Sequence, residues 1–327
     1  MADDVLETLA EFPAHDPFVL PVAHDGTYRL YSAAHGEHPG VVVRTSTDLR
    51  NWSAPRPVFT VPADCWADPS AAPWAPEVHL WRGRYHLFTT LHQPADALPP
   101  VRQGGTTFVL GTDDPRWRLA PARRGTVVAV SDSPDGPFEL LDPSGPVPPA
   151  EFMTLDGTLH VDRAGRPWMV YAHEWVQILD GTVEAVPLQD DLSRAAGPPV
   201  HLFRGSEASW QRSVTPGTAS LAPYVTDGPQ LRRLPGGALA ALWSSYRAGG
   251  AEYVQTWAIS RTGELTGHWE QRGVLVGGDA GHGMLFETFE GRTVLVLHRG
   301  TGTQRVRAEL HEVRLFPDEV QLAGPLR

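Results

Sequence analysis

Five short segments of the chain share one pattern of polar and apolar positions: a turn, followed by a run of apolar or aromatic residues typical of a β-strand. They are DGTYRLYSA (25–33), RGRYHLFTT (82–90), AGRPWMVYA (164–172), GGALAALWS (236–244) and EGRTVLVLH (290–298). Each pattern predicts a hairpin turn that leads into a strand. The aligned positions are 54 to 83 residues apart, which suits repeats of four strands with variable loops: Tyr28, Tyr85, Trp168, Leu239 and Thr293.

A second pattern follows three of these strands, where a polar turn precedes an aromatic residue. It occurs in TSTDLRNW (45–52), SDSPDGPF (131–138) and SRTGELTGHW (260–269), and it predicts an outer hairpin. Helical periodicity is nearly absent beyond residues 5–12, and the chain contains 32 glycines and 31 prolines. The sequence therefore predicts an all-β fold, a five-bladed β-propeller formed as one catalytic domain over residues 1–327. The segment ELHEVRLFP (309–317) is expected to close the ring by pairing with N-terminal sequence.

Composition and charge exclude several classes of function. The formal charge is −11 and there are no Lys/Arg runs, so binding to nucleic acid is not expected. No run approaches the roughly 18 apolar residues of a membrane helix, and the acidic N-terminus lacks the features of a secretion signal. The lone Cys65 cannot form an internal disulfide. A cytoplasmic protein with a neutral ligand is the expectation, and the sequence gives no indication of its oligomeric state.

The repeat also places acidic residues in register. Twelve residues before each aligned position stand Asp16, Pro73, Asp156, Asp227 and Gly281, so that three of five equivalent places are aspartates. Their segments are expected to be the innermost strands of three blades. Since equivalent positions in a rotational repeat lie on a ring, we expect the three carboxylates to converge at one end of the central channel.

Converging carboxylates suit acid–base chemistry, because neighbouring groups push one another's pKa values apart and leave one protonated and another ionised. This is what hydrolysis of a glycosidic bond requires. The alternative for each residue is a structural turn, because aspartate before proline or glycine commonly hydrogen-bonds its own backbone.

At these residues the sequence resembles glycoside hydrolase family 43, whose members are five-bladed propellers that hydrolyse arabinose- and xylose-containing glycans with inversion. The resemblance covers nearly the whole chain, through HDPFVL, WAPEVH, LDGTLHVD, TDGPQL and GHGM in successive blades. It implies that Asp16 is the general base, that Asp156 orients the acid and tunes its pKa, and that Asp227 is the general acid.

One departure concerns the proposed acid. The family usually carries Glu in the fourth blade, whereas this chain has Asp227, whose side chain is one methylene shorter. Glu77 in WAPEVH and Glu174 in YAHEW are the substitutes to consider. If Glu77 is not the acid, we expect it to make a structural contact to a neighbouring blade. If Glu174 is not the acid, we expect it to bind sugar hydroxyls or to lie in a loop.

Further residues are expected to contact a sugar, whose C–H faces pack on aromatic rings while its hydroxyls need polar partners. The predicted substrate-binding residues are His15, Trp74, Glu77, His173, Glu174, Trp175, Trp243 and Arg299, with Trp66 as a further lining candidate. Trp52, Trp168 and Trp269 are assigned to structure. No cofactor is expected to be required. The resemblance implies a central calcium or sodium ion beside His282, and a buried histidine without a metal is the alternative.

The leading hypothesis is an inverting, exo-acting α-L-arabinofuranosidase that removes terminal residues from an oligosaccharide or glycan. A β-xylosidase and a β-galactofuranosidase on the same scaffold are alternatives, and so is a non-catalytic glycan-binding propeller. The expectation of exo action depends on two long inserts, Gln93 to Arg124 and Phe203 to Tyr224, closing the channel mouth into a pocket.

Overall fold

The computed structural model describes residues 6–36, 39–99, 121–210, 224–247, 252–301 and 305–326. These residues form twenty β-strands, one short helix, α1 (Trp175–Ile178), and a 3-10 turn at Gly205–Glu207. The described helices are too short to cross a membrane.

The strands fall into five consecutive groups of four. The first three groups are β1 (Phe18–Val22), β2 (Thr27–Ala34), β3 (Gly40–Ser46) and β4 (Arg56–Thr60); β5 (Trp74–Trp81), β6 (Arg84–Ala97), β7 (Ala122–Ser131) and β8 (Glu139–Leu140); and β9 (Thr154–Val161), β10 (Pro167–His173), β11 (Thr182–Pro187) and β12 (Val200–Arg204). The last two are β13 (Asp227–Arg233), β14 (Leu239–Tyr246), β15 (Tyr253–Ser260) and β16 (Trp269–Gln271); and β17 (Ala280–Glu287), β18 (Thr293–Arg299), β19 (Arg307–Leu315) and β20 (Val320–Pro325).

Within each group the strands pair antiparallel in chain order, which makes each group one blade. The first strands β1, β5, β9, β13 and β17 contact one another in turn, and β17 contacts β1 again. They therefore line the axis of a closed ring, as in a β-propeller. A single parallel bridge, Val254 to Ala280, also joins the fourth and fifth blades.

The repeated sequence pattern has a direct structural cause. In all five repeats the turn before the second strand places its shared glycine at positive φ, between 67° and 87°: Gly26, Gly83, Gly165, Gly237 and Gly291. Glycine adopts this conformation without steric cost. The predicted outer turns are also present, between β3 and β4, β7 and β8, and β15 and β16. The all-β fold with five blades is thus confirmed.

Hydrophobic clusters lie between neighbouring blades. One is shared by the fifth, first and second blades and includes Phe286, Val296, Tyr31 and Leu87. Ring closure is achieved by this packing. The expected pairing of 309–317 with N-terminal sequence is wrong for the described residues, because β19 pairs with β18 and β20 inside its own blade.

Candidate active site

Each blade has one residue in the left-handed region at the N-terminal end of its first strand, and in the first blade this residue precedes β1 by two positions. These residues are Asp16 (φ 47°), Ala75 (φ 43°), Asp156 (φ 57°), Gly228 (φ 49°) and His282 (φ 51°). In the second to fifth blades this residue accompanies an irregularity in the pairing of the first two strands. The structure corrects the predicted register at three places: Ala75 replaces Pro73, Gly228 replaces Asp227 and His282 replaces Gly281.

This geometry brings the three predicted carboxylates together around His282. The His282 Nδ1 atom lies 3.1 Å from Asp16 Oδ1, 3.6 Å from Asp227 Oδ1 and 3.8 Å from Asp156 Oδ2. Gly228 permits the close approach, because a Cβ atom there would lie 2.9 Å from His282 Cγ. The convergence of Asp16, Asp156 and Asp227 at one end of the axis is as expected from the sequence.

Asp16 is held by two further histidines. His15 Nδ1 lies 2.9 Å from Asp16 Oδ2, and the His15 ring stacks on His298 with 4.3 Å between ring centroids. The Asp16 backbone N–H donates to His298 Nδ1 (3.2 Å), and His298 Nε2 lies 2.9 Å from Thr301 Oγ1. The Asp16 carboxylate is thus fixed in position and surrounded by imidazoles.

Asp156 and Asp227 form a pair with different partners. The Gly228 N–H donates to Asp156 Oδ2 (3.0 Å), and the Asp156 N–H donates to Thr90 Oγ1 (3.0 Å). The Tyr253 hydroxyl donates to Asp227 Oδ2. Carboxylate oxygens of the two aspartates lie within 4.8 Å of each other, and the side chains are hydrogen-bonded, so that one proton can be shared between them.

Burial and neighbouring charges shift the pKa values of the three carboxyl groups in different directions. Burial raises the pKa of Asp16, but the charges of His15 and His282 outweigh it and hold that pKa well below its usual range. Burial, and then the charge of Asp227, raise the pKa of Asp156 well above its usual value. Burial also raises the pKa of Asp227, but hydrogen bonds from Asp156 and His282 outweigh it and lower the pKa to about 2. These directions favour ionised Asp16 and Asp227 and place the proton of the ring on Asp156.

His282 supplies the compensating charge. Burial lowers its pKa, but the charge of Asp16, followed by the interactions with Asp156 and Asp227, outweighs this and raises the pKa well above 6.5. The centre of the ring is thus an imidazolium between carboxylates.

These residues open into a cavity of about 960 Å³. Among the described residues, four carboxyl groups lie in its lining: Asp16, Asp156, Glu174 and Asp227. The lining also includes His15, Trp74, Trp175 and Tyr246. From the axis it continues across the first blade, through residues 32–34 of β2 and Val42 and Arg44 of β3.

Glu174 belongs to a second charged group in the cavity wall. Its carboxyl accepts a hydrogen bond from Arg124 Nη1 (2.5 Å), and Arg124 Nε donates to His92 Nδ1 (2.9 Å). The Arg124 guanidinium lies over the ring of Trp74, 4.2 Å from its centroid, and Trp74 is 39% exposed. His15, Trp74, Glu174 and Trp175 therefore lie at the cavity as predicted from the sequence.

Five other predicted residues lie elsewhere. Glu77 pairs with His79 (2.9 Å), and the His79 ring contacts Phe18 of the first blade. This arrangement corresponds to the structural alternative for Glu77, a contact to a neighbouring blade. The remaining four are held in contacts away from the cavity lining: His173 by Gln177 and Glu184, Trp243 in a hydrophobic cluster with Phe203, Arg299 by Glu309, and Trp66 under Arg123. None of these five belongs to the described lining of the cavity, and their contact with substrate stays a prediction.

Trp243 and Arg299 lie outside the described cavity lining for the same reason. Successive residues of a strand point to opposite faces, and the residues that reach the ring are the direct neighbours of Trp243 and Arg299. Ser244 Oγ accepts the His282 N–H (2.8 Å), and His298 bonds Asp16. Ser244 pairs with Asp227 and His298 with Gly281 across the first two strands of their blades. Strand alternation in β14 and β18 was the signal that could have found them.

The residues present do not fit a calcium or sodium ion on the carboxylate side of His282. The protonated Nδ1 faces all three carboxylates, so it cannot act as a ligand there. Within the described residues two clusters have ligand spacing: His15, Asp16 and His298, and Asp156, Asp227 and His282. Both contain carboxylates that belong to the acid–base site, whereas calcium takes six to eight oxygen ligands.

A closed ring of five four-stranded blades, with three carboxylates meeting at the axial end of a large cavity, defines a propeller of the glycoside hydrolase class. The family described as glycosyl hydrolases family 43 matches residues 9–317, and the chain belongs to this family. The resemblance noted in the sequence is thereby confirmed.

The similar proteins include arabinan-degrading enzymes. A solved endo-arabinase from Bacteroides thetaiotaomicron VPI-5482 is 30% identical, with a TM-score of 0.80, and the match covers 99% of this chain and 100% of that one. A solved α-L-arabinofuranosidase from Lactobacillus brevis has a TM-score of 0.70 over 98% of both chains, but at 14% identity it supports the fold alone.

A curated relative, extracellular endo-alpha-(1->5)-L-arabinanase 1 of Bacillus subtilis (strain 168), is 21% identical over 165 residues. That match covers 49% of this chain and 43% of the relative, so the chain matches less than half the length of that protein.

Proposed function

We propose that this protein hydrolyses α-L-arabinofuranosidic bonds with inversion, and that it cuts within an arabinan-type chain. The observation that carries the proposal is the ring of Asp16, Asp156 and Asp227 around His282 at the base of the cavity. The 30% identity to a protein described as an endo-arabinase supports the choice of sugar.

In this proposal Asp16 is the general base. Its carboxylate accepts a proton from water as the water oxygen bonds the anomeric carbon, while the glycosidic C–O bond breaks and a second carboxyl protonates the leaving oxygen. The low pKa of Asp16 keeps this group ionised, as a base must be. His15 and His298 hold it in place.

The mode of attack depends on the shape of the cavity. Exo action was predicted from two inserts, but residues 100–120 and 211–223 of those inserts lie outside the described residues. The described lining extends from the axis to the third strand of the first blade. Adjacent strands are about 4.8 Å apart, so this extension spans more than one pentose. It supports binding of several linked sugars, and therefore endo action.

Digestion of linear α-1,5-arabinan tests the proposal. Endo action predicts arabino-oligosaccharides as the first products, whereas exo action predicts arabinose alone. Asp16→Asn is expected to lower kcat by about 10²–10⁴-fold. The melting temperature of this variant is measured as the control for folding. The proposal is overturned if the wild type releases nothing from arabinan, or if Asp16→Asn is as active as the wild type.

A further inference from the structure

The distance between Asp16 and Asp227 raises the question of which carboxyl protonates the leaving group. Because His282 Nδ1 lies 3.1 Å from Asp16 Oδ1 and 3.6 Å from Asp227 Oδ1, those two oxygens are at most 6.7 Å apart. In inverting enzymes the base and acid carboxyl groups stand roughly 6.5–9.5 Å apart to leave room for the attacking water, whereas these two oxygens face the same His282 nitrogen. The His282 imidazole bridges these two carboxylates at hydrogen-bonding or ion-pair distance.

Asp227 is also engaged as an acceptor. Tyr253 donates a hydrogen bond to Oδ2, and His282 faces Oδ1. Burial raises the pKa of Asp227, but hydrogen bonds from Asp156 and His282 lower it to about 2, whereas a general acid must carry a proton at the working pH. Asp156 also lines the cavity, but its Oδ2 accepts the Gly228 N–H and its carboxyl is hydrogen-bonded to Asp227, so a proton on Asp156 is engaged by the neighbouring aspartate.

Glu174 is the remaining carboxyl among the described residues of the cavity lining. It lies in the third blade, which is not adjacent to the first blade that carries Asp16. Its backbone is fixed where β10 runs into α1: the Glu174 N–H donates to Met153 O (2.8 Å), and its carbonyl accepts from Gln177 (3.0 Å). Trp175, the next residue, lines the same cavity.

Resting on the function proposed above, we infer that Glu174 is the general acid of this protein and that Asp227 is a positioning residue for His282 and Asp156. In the reaction the Glu174 proton moves to the leaving glycosidic oxygen as the C–O bond breaks. Asp16 takes the proton of the attacking water, so the two carboxyl groups exchange protonation states and water is added across the bond.

The surroundings of Glu174 suit this role. Its side chain is 9% exposed, and burial raises its pKa, while Arg124 acts in the opposite direction and the charge of Asp227 adds to the rise. When the proton leaves, the carboxylate that forms is already bonded to Arg124. Arg124 is itself fixed by Trp74 and by His92, whose pKa burial and Arg124 lower to about 3, so that His92 is neutral.

The test compares two substrates that differ in the leaving group: a 4-nitrophenyl arabino-oligosaccharide and the unmodified oligosaccharide one residue longer. A nitrophenolate leaves without protonation, and a sugar alkoxide does not. Glu174→Gln is expected to lose about 10²–10⁴-fold in kcat on the unmodified oligosaccharide and less than about 10-fold on the nitrophenyl substrate. It should also lose the basic limb of its kcat/KM profile.

Two further variants serve as comparisons. Asp227→Asn is expected to lose activity equally on both substrates. Glu77→Gln, which alters a glutamate outside the cavity lining, is expected to behave as wild type on both.

Glu174→Asp keeps a carboxyl group and provides a second test if Glu174→Gln does not fold. We expect its activity to depend on the leaving group in the same way, with a smaller loss on the unmodified oligosaccharide. Equal losses on the two substrates for both Glu174 variants overturn the inference, and so does a dependence on the leaving group in Asp227→Asn. Cleavage of the two substrates by the wild type tests the proposed function by itself. Failure of the proposed function can therefore be distinguished from failure of the inference about Glu174.

Discussion

His282 is the residue on which the geometry of the site depends. It is buried, its Nδ1 faces three carboxylates, and its backbone adopts a left-handed conformation that is rare for residues other than glycine. Such strain persists only where surrounding contacts hold it in place. Here the contacts are the bond from its N–H to Ser244 Oγ and the close approach of Gly228.

The charge of His282 predicts a pH dependence of stability. Because its pKa is raised in the folded protein, its contribution is complete below the unfolded value of about 6.5 and is lost as pH rises through the folded pKa. We expect the melting temperature to fall by at least about 2 °C as pH rises above neutrality.

Differential scanning calorimetry from pH 6 to 10 measures this effect. His282→Gln should reduce the slope above pH 6.5, and His24→Gln, at an exposed surface histidine, should leave it unchanged. A His282→Gln slope identical to that of wild type would contradict the ion-pair account.

At the scale of the strand, one feature is repeated in every blade: a left-handed residue near the N-terminal end of the innermost strand. It turns the side chains of Asp16, Asp156 and His282 toward one another. The fourth blade differs, because its left-handed residue is Gly228 and the carboxylate comes from Asp227, one position earlier. That shift leaves room for the His282 ring.

Gly228→Ala tests this arrangement. The added Cβ would lie 2.9 Å from His282 Cγ, at φ 49°, so we expect a loss of more than about 2 kcal/mol in unfolding free energy. Displacing His282 should also lower kcat by more than about 10-fold. The matched control is Gly26→Ala, at φ 67° with nothing within 4 Å. It should cost about 1 kcal/mol and leave kcat unchanged, and equal kcat values for the two variants would contradict the steric explanation.

The five blades could be predicted from the sequence because their signal is local. Each repeat needs its own turn glycine and its own apolar strand, and both are visible in segments such as DGTYRLYSA. Asp16 and Asp156 were found for the same reason, since they keep a constant distance of twelve residues from the repeated turn.

Other parts of the site were not predictable in this way. The irregularity near the start of the inner strand shifts the spacing by one residue in the fourth and fifth blades and by two in the second, so counting alone could not identify His282 as the equivalent of Asp16. Arg124 meets Glu174 only because neighbouring blades pack together. That contact joins residues fifty positions apart, and no local pattern encodes it.

For the whole molecule, the closed ring is what turns scattered residues into one site. Asp16 begins the first blade, and His282 and His298 belong to the last, yet all three are in contact. The hydrophobic cluster shared by the first, second and fifth blades holds these ends together. The site is therefore complete only when the fifth blade packs against the first.

If Asp16 is the general base, the water that it activates attacks the anomeric carbon from the side opposite the leaving group. Proton NMR of the first products released from an α-L-arabinofuranosyl substrate, recorded before mutarotation, tests this most directly. We predict that the newly formed reducing end is the β-anomer, as inversion requires. Initial formation of the α-anomer would mean retention, and would contradict the role given to Asp16.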